Sequence, residues 1–301
     1  MRNDATKHLL AARHEQAPFF GLEMTLADRR LARRGRGFLK WLGTFKGVVY
    51  SVLFVSAAAY AYLMATAFPG GGEDFRELFF GIVCFWVTPI YACFNALAAG
   101  ASTLSQTLEY NQPSEFALSG HAPERVGAEI YACRAYRHFP AAILYAGLVA
   151  GAIAYLEFRG EGVFNDFNPA FYPLFMLAAL VMQYGLFAAA AFIGVLISNH
   201  AWRFIAVFGY FIVQMALPVF TAVLLSVSFQ SSVNEEAAEL AAMCAAPYGP
   251  VYYSINLAEA SGGFSAYDAA TGYALSMGAQ IAIAIAWYLG TIALFRRRVL
   301  S

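Results

Sequence analysis

Six long apolar runs, each followed by a polar break, organise the chain. They are Gly47 to Phe68, Leu78 to Leu104, Phe139 to Leu156, Phe171 to Ile197, Phe204 to Phe229 and Gly272 to Phe295. None contains an Asp, Glu, Lys or Arg. A helix needs about 20 residues to cross a hydrocarbon core, so the pattern predicts an all-α integral membrane protein with six transmembrane helices. The third run is short, but a helical pattern that opens at Pro123 feeds into it without a break, which predicts one long helix. Pro89 and Pro218 interrupt the second and fifth runs and predict kinks where neighbours satisfy the freed carbonyls.

The breaks are not equivalent. The stretch from Glu109 to Pro140 is a polar, turn-rich island with Pro113, Gly120 and Pro123 punctuating its backbone. Ser119 or His121 is placed to cap a helix starting at Pro123, where a proline fits because its missing N–H would be unpaired anyway. Glu124 and Glu129 favour the start of that helix, and Arg134 and Arg137 lie further along it. Residues 1–46 are polar and basic. Their second half carries Arg29, Arg30, Arg33 and Arg34 interleaved with Phe, Leu and Trp41, which predicts an amphipathic interfacial helix with its cations among anionic lipid head groups. A solvated basic tail that only fixes orientation is the blander reading. Residues 230–271 open with an acidic, alanine-rich helical stretch, Asn234 to Cys244, and turn at Pro247, Gly249 and Pro250. Gly262, Gly263 and a capping Ser265 then precede the last span. The segment reads as two short external or re-entrant helices.

Composition strengthens the membrane reading: 60% of the residues are hydrophobic and only 13% charged, which no ordinary soluble globule matches. The net charge is zero, so only its distribution is informative, and nothing in it points to nucleic acid. With the N-terminus inside, all of the 19 Lys and Arg except Arg76 and Arg159 fall on inner segments. Both termini are therefore expected in the cytoplasm, including the basic end Arg296-Arg297-Arg298. No apolar core ahead of a small-residue cleavage site occurs in the first forty residues, so no cleaved signal peptide is expected. Residues 1–46 are expected to form a cytoplasmic segment and residues 47–301 one six-span transmembrane domain, with no internal repeat.

Catalytic chemistry finds little support. The runs hold no ionisable constellation, and the chain has no HExxH, no GxSxG and no GxxxxGK[ST] phosphate loop. No metal site is expected from the scattered His8, His14, His121, His138 and His200, and Cys84, Cys93, Cys133 and Cys244 form no CxxC pair. The cysteines read as packing residues, as do the small residues Gly147 to Gly151 and Ala188 to Ala191. Gln183, Gln214 and Gln280 are the most polar long side chains of the last three spans. They either line a substrate path or make interhelical hydrogen bonds.

The order of these parts resembles the membrane subunit of type-2 ABC exporters. In sequence the resemblance rests on Thr107-Leu-Glu109, on Glu115-Phe-Ala-Leu-Ser-Gly120 leading to Pro123, and on Glu124 to Ile130. The Ala246-Pro247-Tyr248 turn and the terminal Phe295-Arg-Arg-Arg298 are similar too; Gly127-Ala128 stands where the family has Gly-Lys. The resemblance implies a permease of the inner membrane working as a homo- or heterodimer with a separate ATPase. No cofactor would bind this chain, and ATP and Mg would bind the ATPase. It also implies a coupling helix near residues 109–124, with Gln112, Glu115, Leu118, Gly120, His121, Pro123 and Glu124 against the ATPase. A stand-alone secondary carrier or channel, or a scaffold anchoring another complex, are the alternatives the residues leave open.

Overall fold

The computed structural model describes Phe19 and residues 88–109, 121–158, 171–228, 240–258 and 266–300. Regular structure among them is entirely helical. The helices are α1 (Thr88–Ala101), α2 (Ser105–Glu109), α3 (Pro123–Phe158), α4 (Phe171–Leu196), α5 (His200–Ser228), α6 (Gly249–Ala258) and α7 (Ala266–Leu300). The first apolar run, the basic residues Arg29, Arg30, Arg33 and Arg34, and the aromatic Trp41 lie outside the described residues, as does part of the second run. Two helical stretches, Pro173–Leu196 and Ala269–Leu300, are long and apolar enough to cross a membrane.

The long third helix is present as one element. It covers 36 residues from Pro123 to Phe158 and includes Pro140, a length of about 54 Å at the α-helical rise. That is longer than a hydrocarbon core of about 30 Å. Its start is set by the backbone: the carbonyl of Ala122 accepts from Arg125 N at 3.0 Å and from Val126 N at 3.2 Å. Ala122, rather than His121, occupies the capping position; Ser119 lies outside the described residues. Helical structure also runs through Pro218 in α5. The expected turn before α6 is a bend and turn at residues 246–248, following helical residues 240–245.

α4 is the hub, packed against α1, α3, α6 and α7. Its composition explains the position. Phe187, Leu186 and the run Ala188 to Ala191 are all buried, so small side chains surround the axis and let neighbours approach. The closest approach is with α1. A Cβ on Gly100 would lie 2.2 Å from the carbonyl oxygen of Phe187, and one on Gly194 would lie 2.3 Å from that of Ala101. Only hydrogen fits at these two points. α1, α4 and α7 run one way and α3 and α5 the other. Cys93 and Leu97 of α1 share one cluster with Met182 and Leu186 of α4, whereas Val126 and Ile130 of α3 share another with Val195 of α4.

Five helix ends consequently meet at one end of the bundle: the ends of α1, α4 and α7 and the starts of α3 and α5. Every arginine among the described residues lies in that half, namely Arg125, Arg134, Arg137, Arg203, Arg296, Arg297 and Arg298. Glu157 and Asp268 mark the opposite ends of α3 and α7.

Candidate functional site

The charged end is built around Arg203, which is only 6% exposed. Asn199 positions it by starting α5: its Oδ1 accepts from Ala201 N at 2.9 Å and from Trp202 N at 3.3 Å. This is the arrangement of a side-chain N-cap. One turn later, the Arg203 guanidinium folds back over the end of α4. Nε donates to Ile197 O at 3.0 Å and Nη2 to Ser198 O at 3.0 Å. Nη1 donates to Ser105 Oγ at 3.1 Å, and Nη2 donates to Glu109 Oε1 at 2.5 Å. His200 Nε2 stands 3.1 Å from the other Glu109 oxygen. Arg298 completes the ring by donating to Leu196 O at 2.7 Å.

Two arginines thus satisfy the carbonyl of Leu196, the last residue of α4, and those of Ile197 and Ser198 just beyond it, and their charge complements the negative end of the helix dipole. A guanidinium suits the task because its planar fork of donors reaches several acceptors at once. Glu109 supplies the counter-charge from α2. Glu109 stands out in the sequence within Thr107-Leu-Glu109, but its partners do not. The signal available was a short polar break, residues 198–203, carrying one cation between two charge-free runs.

The start of α3 is tied to the same end. Glu124 Oε1 pairs with Arg296 Nε at 3.0 Å, and Arg125 Nε with Glu129 Oε1 at 3.0 Å. The second Glu129 oxygen accepts from Phe19 N at 2.9 Å, and the Phe19 ring meets His121 edge to face. Phe295 of α7 packs where a Cβ on Gly127 would approach its Cδ1 to 2.8 Å. Of the residues expected against a partner, His121, Pro123 and Glu124 come together here, beside the end of α7. Gln112, Glu115, Leu118 and Gly120 lie outside the described residues.

The three glutamines divide. Gln280 Nε2 donates to Cys244 O at 2.9 Å, fastening α7 to the turn before α6. Gln214 is half-buried on α5. Gln183, 1% exposed, donates through Nε2 to Ala142 O of α3 at 3.1 Å and lines a cavity of about 300 Å³. A second cavity of about 250 Å³ lies between α1 and α5, with Gln106, His200 and Arg203 among its polar lining residues.

His138, also buried, stacks on Phe187 at 5.8 Å, and burial holds its pKa below the ordinary histidine value. Cys93, Cys133 and Cys244 are free thiols. Among the described residues no three His, Cys, Asp or Glu side chains gather as metal ligands would. No protein-family model, curated protein or solved structure matches the chain.

Proposed function

We propose that the chain is the membrane permease of a type-2 ABC exporter: six spans, both termini in the cytoplasm of the inner membrane, two permeases per working unit, and a separate ATPase that binds ATP and Mg. The observation that carries this reading is the unbroken α3, pinned in its first turn by Glu124–Arg296 and continuing from the arginine-rich end into the apolar bundle. A force applied at residues 109–124 would pass along such a helix, which stays helical through Pro140. The clustering of seven arginines in one half of the described bundle supports a cytosolic position for that end. The resemblance in Thr107-Leu-Glu109 acquires a physical role, since Glu109 balances the arginine that closes α4.

The test is copurification. The tagged chain, extracted from its own membrane in mild detergent, is expected to bring down an ABC ATPase at equal stoichiometry, and charge reversal at Glu115 and Glu124 with a bulky residue at Gly120 to uncouple ATP hydrolysis from transport. Purified chain that transports without ATP would establish a secondary carrier instead. Loss of a partner's localisation with no transport defect would establish a scaffold.

A further inference from the structure

The outer face of α7 ends in a groove against the start of α3. Asp268 and Arg296 are the charges nearest its two ends, and every residue between them is uncharged. Their separation of 28 positions is about 42 Å at the helical rise, the thickness of a bilayer with its head-group layers, about 40–45 Å. Arg296 and its neighbour Arg297 therefore stand at head-group level when α7 crosses a bilayer. Towards the middle of the helix, Ala293, Leu289, Ile285 and Ile281 recur at every fourth position and all are exposed. From Arg296 to Ile285 is about 16 Å, close to the hydrocarbon depth of one leaflet, about 15 Å.

The groove has a volume of about 790 Å³. Leu289, Ile292, Ala293 and Leu300 give it apolar walls, and Tyr288, whose ring packs on Tyr131 at 4.9 Å, lines it beside them. Its charged groups are Arg296, Arg297 and Glu124. Arg296 Nε pairs with Glu124, but the arginine side chain is 57% exposed and its two Nη groups have no partner among the described residues. Arg297, also exposed, makes no ion pair or hydrogen bond among them. Two guanidinium groups against one carboxylate leave the groove with one uncompensated positive charge, and their planar donor forks match the oxygens of a phosphate. A soluble phosphate would leave the apolar walls bare. A hydrocarbon would leave the arginines unmet, and a zwitterionic lipid carries its own cation.

We propose that this groove holds an anionic phospholipid of the leaflet at the arginine-rich end, with its phosphate at Arg296 and Arg297 and an acyl chain lying along Ala293, Leu289 and Ile285. The proposal rests on α7 crossing a bilayer and stands whether or not the chain is an exporter.

The experiment places the full chain in phosphatidylcholine nanodiscs doped with phosphatidylglycerol or, at the same mole fraction, phosphatidylcholine, each carrying the same diazirine in its acyl chain, and maps the adducts by mass spectrometry. Phosphatidylglycerol is expected to label Leu289 and Ala293 at least about fivefold more than phosphatidylcholine does, the scale of one arginine near an anionic surface, with no such preference at Ile281. Equal labelling of the groove by the two lipids, or the same preference along the whole of α7, would overturn the proposal while leaving α7 in the membrane. Labelling of α7 by neither lipid would overturn the proposal together with its premise. Soluble glycerol phosphate is expected to leave the labelling unchanged; displacement by it would assign the arginines to a soluble phosphate instead. Arg297→Gln removes a side chain with no partner among the described residues, so the fold should tolerate it, and is expected to lower groove labelling by phosphatidylglycerol about fivefold without altering that by phosphatidylcholine. Unchanged phosphatidylglycerol labelling in this variant would also overturn the proposal, and the comparison of the two lipids on the unaltered chain needs no substitution.

Discussion

Replacing Arg203 with methionine tests whether the charged end holds the bundle together. The substitution preserves much of the apolar stem and removes the guanidinium, which bonds Ile197 O, Ser198 O, Ser105 Oγ and Glu109. Breaking a buried ion pair by deleting one partner costs about 3–5 kcal/mol. Glu109 retains 26% side-chain exposure and recovers some hydration, so the lower end, about 3 kcal/mol, is the expected loss. Glu109→Gln keeps an acceptor opposite Arg203 but removes the charge, and the difference between charged and neutral hydrogen bonds makes about 1–1.5 kcal/mol the expected cost. For a chain of this size roughly 2–4 °C of melting temperature corresponds to 1 kcal/mol. Thermal unfolding in detergent, followed through tryptophan fluorescence that includes Trp202, should therefore fall by roughly 6 °C or more for Arg203→Met and by a few degrees for Glu109→Gln. The double variant should lose less than the two single variants added together, because the partners interact directly. An Arg203→Met protein melting within about a degree of the unaltered chain, or strict additivity in the double variant, would refute the assignment of Arg203 as the tie between α2, α4 and α5.

The crossing of α1 and α4 predicts that Gly100→Ala and Gly194→Ala each destabilise by about 1–3 kcal/mol, since each new methyl would meet a backbone oxygen at 2.2 or 2.3 Å; the same melts read it, and unchanged stability would mean the helices do not approach this closely. Burial lowers the pKa of His138, so below about 6.5 the unfolded chain binds more protons than the folded one, and stability is lost as the pH falls through and below that value. His138→Phe keeps a ring against Phe187 and should flatten the acid side of the stability profile relative to the unaltered protein. Glu124→Arg sets two like charges together beside Arg296 and should weaken the attachment of the α3 start to α7, seen as faster amide hydrogen exchange at residues 123–130 with little change in α4.

Several features were legible without any structure because they are local. A charge-free apolar run followed by a polar break marks a helix wherever it packs, and Pro123 marks the start of α3 since proline at the first helical position pre-sets the backbone. That same proline lets Ala122 stand just before the helix, since one donor is already absent and φ is fixed; Ser119, a capping residue the sequence offers, lies outside the described residues. The turn before α6 was likewise visible in Pro247, Gly249 and Pro250. Tertiary structure alone decided the pairings across sequence distance. Glu109 and Arg203 stand 94 positions apart, and their meeting depends on the parallel course of α1 and α4 and on the antiparallel return of α5. The three glutamines look alike in sequence, each a single amide in an apolar run. Packing gave Gln280 a carbonyl, left Gln214 on an outer helix, and gave Gln183 a carbonyl of α3 for one amide atom while burying the other without a partner. Periodicity determines which residues share a helix face, but which face meets which depends on where backbones approach most closely, as they do at Gly100 and Gly194.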